Sequence, residues 1–155
     1  MELPAVAELC DNGLAFERPV TVIVGENGVG KSTLVESIAA AWQGGFRGAQ
    51  DRLWSADASP EDADLGAHLT CVGARPQPAL SFQSCLALLG VITDLAEEGS
   101  QVIIATHSPL LATAPGAEIW ELTDDGIDYP EWNQLDLVRN WRSFLDGPDR
   151  FLRHL

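Results

Sequence analysis

Lysine occurs once in these 155 residues, at Lys31, and only nine side chains are basic against 23 acidic ones, a net charge of −14. An acidic surface repels phosphate backbones and anionic lipid, so neither nucleic acid nor a membrane surface is expected as a partner. No run of Lys or Arg offers a local exception. No apolar run approaches the roughly 18 residues of a spanning helix, so no membrane span is expected. The opening residues, Met-Glu-Leu-Pro, carry no basic stretch ahead of an apolar one and are not expected to be a signal peptide. Cysteine is scarce as well. Cys10, Cys71 and Cys85 are odd in number and widely spaced, match no zinc or redox pattern, and fit a reducing, cytoplasmic setting.

What is present is a globular composition, 46% hydrophobic and 21% charged. A chain of this length makes one domain that buries roughly 70% of its unfolded surface, so it folds without disulfide or metal staples. Eight of the nine basic residues are Arg. Coding bias explains that swap in general. The single lysine stands where a compact ammonium is required and a guanidinium fits poorly.

The β-branched run Val20 to Val24 predicts a buried strand, since a parallel strand covered on both faces need not alternate. A glycine-rich turn, Gly25 to Gly30, follows. Leu34, Val35, Ile38 and Trp42 then repeat at helical spacing from Lys31, and Gly44-Gly45 stops the helix. Residues 45–78 are rich in Gly, Asp, Ser and Pro and are expected to be mostly loop, with His68 to Val72 the only strand-like piece. Phe82, Leu86, Leu89, Ile92 (or Thr93) and Leu95 predict one helical face ending at Glu97-Glu98-Gly99. Val102 to Ala105 and Glu118 to Leu122 read as further strands. Leu110 to Thr113 reads as a short helical turn, and Asp124-Asp125-Gly126 as a hairpin turn. Leu135 to Leu145 predicts an amphipathic helix, and a last short helix follows Gly147-Pro148. The Trp141, Phe144 and Leu145 stripe reads as core packing, with a partner surface as the alternative.

Gly25-Glu26-Asn27-Gly28-Val29-Gly30-Lys31-Ser32 fits G-x-x-x-x-G-K-[ST], between a strand and a helix, which is the context this pattern requires. Gly28 and Gly30 let the backbone curl so that N–H groups converge on phosphate oxygens. The helix starting near Lys31 aims its positive end at the same point. Lys31 then reaches the β- and γ-phosphates, Ser32 offers a hydroxyl to Mg²⁺, and Thr33 adds a hydroxyl near the α-phosphate.

This segment resembles the phosphate loop of the ABC-type ATPases. Glu98 to Leu111, with Thr106-His107-Ser108-Pro109 after a buried strand, resembles the H-loop of the same class. More narrowly, the chain is similar to small soluble bacterial proteins described as AAA family ATPases with an ABC-like head. The likeness extends to Pro115 to Leu122, to Asp125-Gly126-Ile127 and to the ending Phe151 to Leu155. The resemblance implies an α/β P-loop NTPase fold, a parallel sheet with flanking helices, in shortened form. It implies ATP and Mg²⁺ as ligands, held by Glu26, Asn27, Gly28, Val29, Gly30, Lys31, Ser32 and Thr33. His107 falls where the family's histidine senses the γ-phosphate and helps hold the attacking water, whereas His68 and His154 lack such context. The expected organisation is one domain over 1–155: a phosphate-loop half (1–44), an irregular linker (45–78), an H-loop half (79–128) and a helical tail (129–155).

Hydrolysis in that family also needs an apolar Walker B strand ending in Asp-Glu, the Asp supporting Mg²⁺ and the Glu activating water. Neither that pair nor a Ser-Gly-Gly signature is found, and Asp51, Asp57, Asp62 and Asp64 follow no apolar run. One alignment puts Ala74 and Arg75 at the carboxylate positions. A second, which we favour from sequence, assigns Leu69 to Pro76 to an earlier part of the family and places a lost block near Pro78. The family's strand order then leaves a core of Glu118–Leu122, Val20–Val24 and Val102–Ala105. Its last strand is a bare edge prone to self-association unless His68 to Val72 pairs there. Two functions compete: an ATPase that takes its missing carboxylates from a homodimer or a partner protein, and a nucleotide-binding regulatory module or truncated gene product without hydrolysis. A small-molecule kinase would need an Arg-rich lid, and Arg47, Arg52 and Arg75 are too sparse for one. Phe16 could stack on adenine, but a phenylalanine of this kind is more often core.

Overall fold

The computed structural model describes residues 15–41, 46–48, 53–56, 69–72 and 80–153. A seven-stranded mixed sheet runs through them. In chain order its strands are β1 (Val20–Gly25), β2 (Phe46–Gly48), β3 (Leu53–Ala56), β4 (Leu69–Val72), β5 (Gln101–Ala105), β6 (Glu118–Leu122) and β7 (Ile127–Asp128). The spatial order is β2-β3-β4-β5-β1-β6-β7. The four central strands β4, β5, β1 and β6 are parallel, and β2, β3 and β7 add antiparallel edges.

The helices are α1 (Lys31–Ala41), α2 (Phe82–Glu97), α3 (Asp136–Asp146) and α4 (Asp149–Leu152). They cover both faces of the sheet, which is why β1 reads as an unbroken apolar run. On one face Ile23, Ile103, Trp120 and Leu122 pack against Leu34, Val35 and Ile38 of α1. On the other, Val20, Val22, Val24, Val102, Ile104 and Ile119 meet Ile92 of α2 together with Leu135 and Val138 at the start of α3. Ser81 caps α2 by accepting from Ser84 N–H at 3.1 Å. Among the described residues no helix is long and apolar enough to cross a membrane.

The expected neighbours β6, β1 and β5 are found side by side. Two expectations fail, and one alternative left open is resolved. Leu69–Val72 forms the strand expected there, but it is not the only one in residues 45–78: β2 and β3 precede it, and the rest of that span lies outside the described residues. The open alternative for the edge of β5 is the one found: β4 pairs with it in parallel from Leu69↔Gln101 to Val72↔Ile104, which removes that reason for self-association. The buried face of α2 is also rotated from the expected one. Cys85 and Ile92 are buried while Phe82 and Leu86 are exposed, because a helix this rich in apolar residues fits the 3.6 period in more than one phase. Phe16 is stacked on Trp120 at 5.3 Å, so one face of its ring is already used inside the fold. His68, His154 and Asp51, Asp57, Asp62 and Asp64 lie outside the described residues.

Candidate functional site

Parallel neighbours in register bring their carboxyl ends to one edge. Ile23 pairs with Ala105, and Gly25 pairs with Leu122. The loop after β1, the Thr106–Pro109 loop after β5 and the Thr123–Gly126 turn after β6 therefore share that edge. This is where an open α/β sheet usually holds its ligand.

The loop after β1 depends on two glycines for different reasons. Gly25 has φ 141°, and a Cβ there would stand 2.6 Å from the carbonyl oxygen of Leu122, so β6 approaches too closely for any side chain. Gly28 has φ 96° and open space around it, so only its backbone conformation demands glycine. Gly30 follows at φ 100° and leads directly into α1. The first helical bond runs from Leu34 N–H to the carbonyl of Gly30 at 2.8 Å. The amides of Lys31, Ser32 and Thr33 thus have no partner within the helix, and a glycine at the cap position supplies no side-chain acceptor for them.

Lys31 is the charged centre of this edge. It is only 9% exposed. Its ammonium donates to the carbonyl of Gly25 at 2.9 Å and to that of Glu26 at 2.5 Å, folded back over its own loop. Burial lowers its pKa, and the negative charge of Glu26 partly opposes this. Ser32 and Thr33 are exposed on the first turn of α1, and Glu26, Asn27 and Gly28 are exposed on the loop.

His107 lies across the edge at the end of β5. Its loop is pinned at several points. Thr106 N–H donates to Ile23 O at 3.0 Å, Ser108 N–H to the Thr106 hydroxyl at 3.0 Å, and Trp132 Nε1–H to Pro109 O at 2.9 Å. The imidazole itself is exposed. Its pKa is lowered first by partial burial and then by the charge of Lys31, which reaches it through space. The residues singled out in the sequence, 26–33 and His107, thus gather at one edge. The Trp132 tether to the histidine loop carried no sequence signal, because it joins segments 23 residues apart.

The site fits a magnesium-bearing anion better than a free ion. Among the described residues no group of three or more His, Cys, Asp or Glu could hold a metal. Ser32 offers a hard hydroxyl oxygen, and Mg²⁺ is usually held by few protein oxygens together with phosphates and water. On the β5 side of the loop, Thr106, His107 and Ser108 contribute hydroxyls and an imidazole but no carboxylate.

Residues 10–66, less than half of the chain, match a family model described as AAA domain. That span holds β1, the loop and α1, and it ends before β4 and His107. No curated protein and no solved structure matches the chain, so over residues 10–66 it is similar to an AAA domain, and nothing further follows from likeness alone.

Proposed function

We propose that this protein binds Mg-ATP through Gly25–Thr33, with His107 facing the terminal phosphate, and turns ATP over slowly or not at all by itself. The observation that carries the reading is the single lysine, Lys31, lodged in a glycine loop beside three helix-terminal amides. A phosphate chain satisfies all of these groups at once. In this reading the amides of the loop and of Lys31 to Thr33 hold the phosphates. Lys31 would exchange its two carbonyl partners for phosphate oxygens, and Ser32, through its hydroxyl, would be the residue that holds magnesium. When bound, Mg²⁺ would screen the charge of the β- and γ-phosphates. Neutral His107 can donate one hydrogen bond to the terminal phosphate or accept one from water. The similarity to an AAA domain over residues 10–66 supports nucleotide binding in general. ATP in particular, the P-loop ATPase fold and the single-domain organisation rest on the motif and its resemblance.

Slow turnover is proposed because of β4. It lies beside β5 on the side away from β1, the position that the resemblance gives to the Walker B strand. The residues that follow it are Gly73, Ala74 and Arg75, with no acid among them. This supports the alignment with Ala74 and Arg75 at the carboxylate positions. The competing reading, an ATPase completed by carboxylates of another chain, draws on the placement of His107 beside Lys31.

Calorimetric titration with Mg-ATP tests the binding. Lys31→Ala should weaken it roughly 10- to 100-fold, the worth of about 1.5–3 kcal/mol for hydrogen bonds from a charged group. Equal affinity in wild type and variant, or no heat in either, would remove the proposal. Phosphate release by the wild type well above the Lys31→Ala level would favour the ATPase reading.

A further inference from the structure

The apolar stripe of α3 outruns the core it starts from. Leu135 and Val138 are buried against the sheet, and one and two turns later the same stripe emerges into solvent. Trp141 is 49% exposed and Leu145 70%. α4 extends the patch with exposed Phe151 and Leu152, and Phe151 contacts Phe144 at 5.7 Å between ring centres. These residues, expected in part to be core, form a continuous apolar surface on two consecutive helices. Clusters of this kind mark interaction sites.

Charge narrows the choice of partner. Residues 135–153 carry Arg139, Arg142, Arg150 and Arg153, four of the chain's eight arginines, against Asp136, Asp146 and Asp149, so this segment is net positive in a chain of net charge −14. Arg139 pairs with Asp136, and Arg142 lies 4.8 Å from the centre of the Trp132 ring, while Arg150 and Arg153 are exposed and flank Phe151 and Leu152 in the chain. A second surface has the opposite character. Along α2, Phe82 is 66% exposed, and Leu86, one turn on along the same side, is exposed with it. Asp94, Glu97 and Glu98 follow on the same helix and its cap, and residues 80–98 contain no Lys or Arg. Gly90 lies within this exposed strip with open space around it, so another helix can come close. Both surfaces belong to helices that cover the same face of the sheet, since α2 and the start of α3 share one core cluster.

We propose that this face is a homodimer interface. About a two-fold axis, α3–α4 of one copy packs on α2 of the other, apolar on apolar and Arg150 and Arg153 against Glu97 and Glu98. A two-fold axis repeats the contact with the roles reversed, so both complementary surfaces are covered and the assembly closes. The contact lies on a helix-covered face rather than at the nucleotide edge, so it does not depend on the proposed function.

Sedimentation of the full chain over a concentration series, with and without Mg-ATP, tests this. The wild type should reach dimer in both conditions. Leu145→Asp and Phe82→Asp, both at solvent-exposed positions, should each weaken association by about tenfold or more, as loss of a central apolar contact does, with an unchanged circular dichroism spectrum. Glu97→Arg should weaken it as well, and Glu97→Arg combined with Arg150→Glu should restore it in part. A wild type that stays monomeric, or a dimer indifferent to both Asp variants, overturns the proposal. So does binding of the monomer to phosphatidylserine vesicles that is lost in Leu145→Asp, which would assign the face to a lipid surface instead.

Discussion

Lys31 lies 76 positions from His107 in the chain and yet, after burial, helps to lower the pKa of its imidazole. A proton added to His107 would place a second cation near the Lys31 ammonium in partly desolvated surroundings. The imidazole is therefore held neutral to lower pH than usual. A histidine with a depressed pKa stabilises the fold above the unfolded pKa, and that contribution is lost as pH falls through the folded value. Following the His107 ring proton by NMR across pH gives a direct reading. Lys31→Ala should move the midpoint up towards that of an ordinary histidine. Saturating Mg-ATP should move it up in the wild type, because phosphate oxygens favour the imidazolium. An unmoved midpoint with Mg-ATP bound would place His107 away from the phosphates and end its proposed role. At this scale the sequence was informative wherever the chemistry is local. The Gly28, Gly30 and Lys31 spacing announces the loop because the turn and the helix start lie within a few residues. The ammonium folded back onto Gly25 and Glu26 was not legible, because it belongs to one arrangement of a side chain that has several.

β6, β7 and α3 meet around one carboxylate. Glu121 stands opposite Asp128 across the antiparallel ladder. Its carboxylate accepts the backbone N–H of Asp136, the first residue of α3, where Leu135 provides no side-chain cap. Burial raises the pKa of Glu121, the charges of Asp136 and Asp128 raise it further, and Arg139 and the backbone bond oppose them. The sign follows from the direction. A carboxyl group whose folded pKa is raised stabilises the fold while protonated, and it costs stability as pH rises through that value. Glu121→Gln keeps an acceptor for the Asp136 N–H and removes the charge. At neutral pH the variant should gain roughly 0.2–1 kcal/mol, the size of a cross-strand like-charge pair, or about 1–4 °C in Tm. The gain should vanish below the ordinary glutamate range. A loss of stability at neutral pH would mean that the charged cap outweighs the repulsion. Other features at this scale were hidden from sequence. β2 and β3 are three and four residues long, too short to display a period. β3 pairs onto β4 and β2 onto β3, a tertiary cause that no local pattern encodes. The central strands were legible because burial on both faces leaves a dense β-branched run.

The molecule as a whole is an anion of net charge −14 that is proposed to bind another anion. Two fields of different reach therefore act on an incoming Mg-ATP. The attractive one comes from Lys31 and the amino end of α1, and a helix terminus acts mainly within its first turn. The repulsive one comes from the 23 carboxylates spread along the chain, and it acts at longer range. Salt screens charges farther apart than the Debye length, about 8 Å at physiological ionic strength, and affects partly buried contacts much less. Adding salt should thus remove the repulsion on approach before it weakens the bound contact. Association measured by stopped flow with a fluorescent Mg-ATP analogue should become faster, by up to about tenfold, between low and physiological ionic strength. Dissociation should change little. This is the reverse of the usual steering of a ligand into an oppositely charged cleft. An association rate that falls with salt would mean that Lys31 and its helix dominate the field well beyond the loop. The acidic surface would then have to lie on faces remote from the nucleotide edge.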